Sequence, residues 1–383
     1  MNRYLRQIGE SIRKGDWILL LLCLCATAFG CLIISSATDY MGSLRHIIVQ
    51  ISAAAIGVLL YALVSSVDAE FWGEHRTALI GFNIFLLLLL IPFGTDNGTG
   101  NKSWLDIPLM PFYIQPAEIC KITYVLITAS IMASYQNRIS SFRSVMHIAI
   151  HLGLLVGLNM VLSGDLGVSL IFVFIFACMA FAGGVNLLWF AGFIGFVILA
   201  FPFIWPRLGE YQRLRIEVLF NPALDPDGTG VLWQTTLSQR SLTGGGLTGQ
   251  GLFNGHRTQN DAFTGQHTDF VFSAIGEELG FVGCALVLVM LGLIIARCIW
   301  VGFRSPDYGR RMICFGAAAA LIFQTLINVG MCIGVAPVIG LTLPFISYGG
   351  SSILSLYAML GLVSGVHARP EAPSHALYIQ PKR

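Results

Sequence analysis

The sequence predicts an all-α, polytopic membrane protein with about ten transmembrane helices and one large extracytoplasmic loop region. Composition is the first reason: of 383 residues, 55% are hydrophobic and only 11% are charged, whereas a soluble domain carries about 25% charged residues. Mean hydropathy is +0.75. The second reason is pattern. Apolar stretches close to the ~20 residues that cross a bilayer fall at about 17–36, 46–65, 78–93, 117–133, 145–162, 167–183, 187–204, 270–296, 312–332 and 351–367. The chain reads as a single integral membrane domain, 1–383, whose extracytoplasmic region covers about 205–269.

The first stretch follows Arg3, Arg6, Arg13 and Lys14 and resembles a signal peptide in charge. It lacks a small-residue cleavage site and precedes many further spans, so a retained first helix is the expectation. The fifth and sixth stretches are joined only by Ser163-Gly164-Asp165-Leu166, and the sixth and seventh by Gly183-Gly184-Val185-Asn186. Both are tight turns.

Basic residues set the orientation. With the N-terminus inside, the inner segments carry 14 Lys or Arg, and the short outer loops carry only Arg45 and Lys102. Both termini are therefore expected in the cytoplasm. Residues 94–116 and about 205–269 then lie outside. The balance of 22 Lys and Arg to 20 Asp and Glu, with no basic run, gives no reason to expect nucleic acid. None of the nine cysteines lies in the long polar region and none forms a CxxC pair, so they read as small buried residues.

Two irregular stretches stand out. Gly244-Gly245-Gly246-Leu247-Thr248-Gly249-Gln250-Gly251 offers backbone that can bend closely around a ligand. It is not a P-loop, because no Gly-Lys-Ser/Thr ending follows. The run Val335 to Ser352 is apolar but broken by Gly and Pro. Such backbone is tolerated at membrane depth only where protein or a wet cavity covers it, which reads as a re-entrant or cavity-lining segment.

The segment Gly265-Gln266-His267-Thr268-Asp269-Phe270 puts a carboxylate where a polar region meets a greasy helix, with Glu277 and Glu278 about two turns on. Acids so close to hydrocarbon are costly and mark a task. Proton abstraction, cation binding and contact with a lipid headgroup all fit.

Four separated motifs resemble the SEDS family, the group of FtsW, RodA and SpoVE. They are Trp104-Leu105-Asp106 with Gln115-Pro116-Ala117-Glu118-Ile119-Cys120-Lys121; Gly164-Asp165-Leu166-Gly167; His267-Thr268-Asp269-Phe270 with Glu277-Glu278-Leu279-Gly280; and Pro337 to Ser352 with its Leu-Pro-Phe-x-Ser-Tyr-Gly-Gly-Ser-Ser core. The resemblance runs from the first helix to the last. It implies a membrane-embedded all-α peptidoglycan glycosyltransferase of the bacterial cytoplasmic membrane. Such an enzyme polymerises lipid II, a disaccharide-peptide on undecaprenyl diphosphate, at the outer face, beside a class B penicillin-binding protein.

The resemblance implies Asp269 as the catalytic carboxylate. Glycosidic bond formation needs a base for the attacking sugar hydroxyl, and partial desolvation lifts a carboxylate toward the working range. The plainer alternative is that Asp269 caps the following helix. The departing diphosphate calls for cations: Arg213 and Arg215 in Tyr211-Gln212-Arg213-Leu214-Arg215-Ile216 are nearest in sequence, against the alternative of an amphipathic helix meeting lipid phosphates. Gln234 and Ser238, four apart, would share a helix face and touch sugar. Glu118 and Lys121, three apart inside a span, would pair with each other or contact substrate. Asp165 would cap the sixth span or wall the cavity. Glu277 and Glu278 point about 100° apart, so one of them could face the cavity. His267 would tune Asp269, while His147 and His151 lack a third partner and are not expected to hold a metal.

The chain departs from many RodA-like members. It has Phe263-Thr264-Gly265-Gln266 where Leu-Pro-Glu is common before the His-Thr-Asp motif, Ala117 in place of Ser, and Val168 in place of Thr. These differences leave elongation, division and sporulation roles open. No cofactor is expected. A divalent cation, Mg²⁺ or Mn²⁺, is compatible with a diphosphate leaving group, and no carboxylate cluster dictates one. Two other functions compete: a flippase for lipid II, and a non-catalytic scaffold for the penicillin-binding protein.

Overall fold

The structure is a computed structural model that describes residues 13–96, 101–107, 112–207, 209–228, 230–260 and 265–369. Of the features singled out above, Phe263, Thr264, Arg3 and Arg6 lie outside the described residues. Each predicted span is occupied by an apolar helix: α1 (Trp17–Ala37), α2 (Arg45–Ser66), α3 (Arg76–Leu88, continued by Leu90–Phe93), α4 (Pro116–Ser134), α5 (Phe142–Leu162), α6 (Leu166–Ala182), α7 (Leu187–Ile204), then α10 (Val271–Arg304), α11 (Tyr308–Ile333) and α12 (Gly350–Ala368). Eight of these are long and apolar enough to cross a membrane; α6 and α7 are shorter apolar helices. Two more polar helices, α8 (Glu210–Phe220) and α9 (Trp233–Gly245), fall in the region read as extracytoplasmic. A two-stranded antiparallel pair, β1 (Gly94–Thr95) with β2 (Trp104–Leu105), follows α3.

Small residues let the helices approach closely, which replaces the hydrophobic drive that lipid does not supply. Gly57 of α2 lies against the Tyr357 ring of α12, and Gly361 and Gly365 of α12 run against the backbone of Tyr61 and Ser65. At the opposite end of the bundle from Asp269, buried Asp16 caps α1 by accepting from Leu19 N–H at 3.0 Å. It also takes a two-pronged bond from Arg297, at 2.8 and 3.1 Å.

The α10 helix breaks at Gly280, whose φ of +65° is open to glycine at no steric cost. The Gly-rich stretch fills the break. Gln250 and Gly251 N–H donate to the Glu277 and Glu278 carbonyls, while Phe281 and Val282 N–H donate to the Gly246 and Leu247 carbonyls. A Cβ on Gly245 or Gly249 would collide with α10 backbone, at 1.8 and 2.1 Å. This corrects one expectation: the glycines wrap the protein's own interrupted helix, not a ligand. The irregular run between α11 and α12 is covered by protein as expected, with Leu341, Leu343, Phe345, Ile346 and Ser347 all buried.

Candidate active site

Asp269 sits in the turn just before α10, where it is partly exposed. It is not the helix cap. That position belongs to Phe270, with no side-chain capping bond. Burial is the main influence on the Asp269 carboxyl and pushes it up to about 6; the nearby Asp165 charge adds to the rise and the Arg215 guanidinium opposes it. No hydrogen bond to the carboxylate contributes among the described residues.

The other walls come from distant parts of the chain. Gly340, with φ +71°, faces the carboxylate: a Cβ there would stand 3.7 Å from Asp269 Oδ2. Arg215 of α8 donates from Nη1 to the Val338 carbonyl at 2.5 Å, which anchors its guanidinium on the same loop. Arg213 is half-buried and its Nε has no partner among the described residues. Gly167 at the start of α6 abuts the Ile339 carbonyl, the residue before Gly340.

Asp165 both caps α6 and lines this region. Its Oδ1 accepts from Val168 N–H at 3.0 Å and its Oδ2 from Gln115 Nε2 at 3.1 Å. Burial raises its carboxyl above the usual range. Gln115 leads into α4, where Lys121 Nζ donates to Glu118 Oε1 at 2.8 Å and Ser355 supplies the other carboxylate oxygen with a hydroxyl. Glu118 and Lys121 are 4% and 1% exposed, so each charge needs the other. His267 packs its ring against His46 and Tyr348, with centroids 5.1 and 5.7 Å apart.

Two expectations are corrected. Ser238 is fully buried, and its hydroxyl bonds Ser273 and the Cys332 carbonyl; it ties α9 to α10 and α11 and does not face a sugar. Gln234, one turn earlier, remains half-buried. Neither Glu277 nor Glu278 is open to a substrate, for both are buried. Glu277 accepts from Arg257 N–H, Thr258 N–H and the Thr258 hydroxyl, at 3.0, 3.0 and 2.7 Å. Glu278 accepts from Ser36 Oγ at 2.6 Å and Gln259 Nε2 at 2.9 Å. The pair pins the 250–260 loop onto α1 and α10.

One residue escaped the sequence reading. Asn328 of α11, fully buried, donates from Nδ2 to the Asp269 carbonyl at 2.8 Å and to the Leu341 carbonyl at 2.7 Å. A side-chain amide inside an apolar span was the available signal.

Among the described residues no group of three or more His, Cys, Asp or Glu could hold a metal ion. A groove of about 580 Å³ opens between α5, α6 and α7, and its lining residues include no ionisable side chain.

The FtsW/RodA/SpoVE profile, described as cell cycle proteins, matches residues 16–371. The chain is 30% identical over 384 residues to a probable peptidoglycan glycosyltransferase FtsW of Geobacter metallireducens, covering 96% of this chain and 99% of that one. It is 30% identical to the peptidoglycan glycosyltransferase MrdB of Escherichia coli over 92% of this chain and 93% of that one. It is 31% identical to the stage V sporulation protein E of Bacillus subtilis over 83% and 85%. A solved chain from a peptidoglycan synthase complex that coordinates polymerization and crosslinking superposes with a TM-score of 0.78 at 31% identity, covering 92% of this chain and 97% of that one. The crystal structure of Thermus thermophilus RodA gives 0.68 at 28% identity, covering 92% and 96%.

Proposed function

The chain belongs to the FtsW/RodA/SpoVE family, and on that premise we propose that it is a peptidoglycan glycosyltransferase that polymerises lipid II with Asp269 as general base. One observation carries the assignment of the base. Asp269 is a partly exposed carboxylate, raised to about 6 by burial, beside a guanidinium anchored on the facing loop. A base whose pKa lies near the working pH is both available and strong enough to act.

The acceptor hydroxyl gives its proton to Asp269 as its oxygen bonds the donor's anomeric carbon. The bond from that carbon to the diphosphate oxygen breaks, and undecaprenyl diphosphate leaves with the electron pair. Arg215 stands where negative charge grows on the leaving group, and such preorganised cations act most strongly as charge develops. Arg213 is the second candidate for the same oxygens. A divalent cation, if it takes part, arrives with the diphosphate, since the described carboxylates do not form a site of their own.

The excess of basic residues on the inner segments supports an orientation with both termini cytoplasmic and Asp269 at the outer face. The likeness to a synthase complex of polymerization and crosslinking supports a transpeptidase partner, of the class B penicillin-binding type. A flippase reading has one observation in its favour, the buried Glu118–Lys121 pair within a span. That pair is closed on itself and on Ser355, which suits a structural brace better than a carrier site.

The test is reconstitution of the purified protein in liposomes with labelled lipid II, with and without a candidate transpeptidase, and separation of glycan products by length. Chains in the wild type support the proposal. Movement of lipid II between leaflets with no polymer, under conditions where the partner is bound, would favour the flippase.

A further inference from the structure

Three consecutive backbone carbonyls lead to the proposed base, and each accepts a hydrogen bond from a different donor across the loop. Tyr348 N–H donates to the His267 carbonyl at 2.9 Å. Ser347 Oγ donates to the Thr268 carbonyl at 2.6 Å. Asn328 Nδ2 donates to the Asp269 carbonyl at 2.8 Å and, with its second hydrogen, to the Leu341 carbonyl at 2.7 Å. Two carbonyl acceptors on one side require the NH₂ there, so the amide orientation of Asn328 is fixed. Its Oδ1 is buried without a protein partner.

This amide therefore joins the backbone of the base to the residue after Gly340, and Gly340 faces the carboxylate. The carboxylate has no hydrogen bond of its own among the described residues to aim it. Its aim depends on the backbone that carries it.

We propose that Asn328 is a positioning residue for glycosyl transfer: it sets the gap between the Asp269 carboxylate and the Gly340–Leu341 backbone, where the acceptor hydroxyl enters. Asn328 touches neither donor nor acceptor sugar in this account and acts only through Asp269. The inference rests on the reading of Asp269 as base. A misplacement of about 1 Å can cost about 100-fold in rate, and removal of a single amide that holds two sides of the gap is a direct way to cause one.

The test uses the full chain in liposomes with lipid II. Asn328→Leu, branched at the same carbon, removes both donors; Asn328→Asp replaces the NH₂ with an acceptor. Rates are divided by the fraction of protein that binds labelled lipid II, so that partial misfolding does not count. Both variants are expected to lose about 100-fold in kcat with KM within about twofold. In Asn328→Leu the acid limb of the pH profile should shift from about 6 toward the ordinary carboxylate range, because a displaced carboxylate is less desolvated. A merely structural residue would leave the corrected kcat and that limb unmoved, and this result overturns the proposal. If neither Asn328 variant folds, Ser347→Ala carries the test, with a smaller fall in kcat and unchanged KM; wild-type kinetics there would also overturn it. If the wild type makes no glycan, the functional reading fails; if the wild type polymerises and Asp269→Asn does not, an unaffected Asn328 variant refutes this inference alone.

Discussion

Asp269 and Gly340 face each other across a gap that one methyl group would close: a Cβ on Gly340 would stand 3.7 Å from Asp269 Oδ2. Gly340 also holds φ at +71°, where an L side chain costs about 1–2 kcal/mol. Gly340→Ala should therefore lower both activity and stability. A loss of at least about tenfold in kcat is expected from the crowded approach to the base. Glycan synthesis at the wild-type rate in a folded Gly340→Ala protein would show that the acceptor does not enter there.

The raised Asp269 carboxyl makes a paired prediction about pH. The base acts when ionised, so activity should fall about tenfold per pH unit below about 6. Stability runs the other way. The folded pKa lies above the unfolded one, so the contribution from this group is favourable in acid and is lost as pH rises through about 6. After allowance for partial exposure, the cost at neutral pH is on the order of 2 kcal/mol. Asp269→Asn should abolish synthesis yet raise Tm at pH 7.5, and that gain should disappear near pH 4. Equal Tm values for the two proteins across this range would remove the claim of desolvation.

Arg215 opposes the rise at Asp269. In Arg215→Ala the acid limb should move above 6, and kcat should fall through lost stabilisation of the leaving diphosphate. Arg215→Lys keeps the charge but not the fork and should restore the limb more than the rate. A limb that stays in place in Arg215→Ala would separate the guanidinium from the base.

Glu118 and Lys121 are buried partners at 2.8 Å. Glu118→Gln or Lys121→Met alone leaves an uncompensated charge and should cost about 3–5 kcal/mol. The double variant should recover most of that loss, and a thermal-unfolding double-mutant cycle measures the coupling. Additive losses would mean that the two side chains do not act as a pair.

The outer loop depends on Glu277 and Glu278. Glu278→Leu strips acceptors from the Ser36 and Gln259 side chains, so the loop at 250–260 should become the first site of limited proteolysis. Cleavage unchanged from the wild type would assign the loop's order to its glycine contacts with α10 instead.

The parts of the molecule legible in sequence are those set by local pattern. Apolar length marked the spans, and a tight turn with Asp165 marked a helix start that the structure caps through that side chain. Asp269 was conspicuous because a carboxylate next to hydrocarbon is expensive. What escaped depends on pairings between residues far apart in the chain. Ser238 looked available for sugar until Ser273 and Cys332 came against it. The glycines near 245–251 looked like a ligand cradle because nothing local reveals that α10 breaks at Gly280 and takes their backbone as its missing partner. Glu277 and Glu278 each find their partners on loop 250–260, and Glu278 also on α1, 242 residues away at Ser36.

Catalysis turns on one proton acceptor, and the most direct measurement is the pH dependence of kcat/KM for glycan synthesis from lipid II by wild-type and Asp269→Asn protein in the same liposomes. The expected result is a single acid limb near 6 in the wild type and, in the variant, a rate lower by at least about 100-fold with no limb in that region. A variant that polymerises at a comparable rate, with the wild-type limb intact, would contradict the assignment of Asp269 as the base.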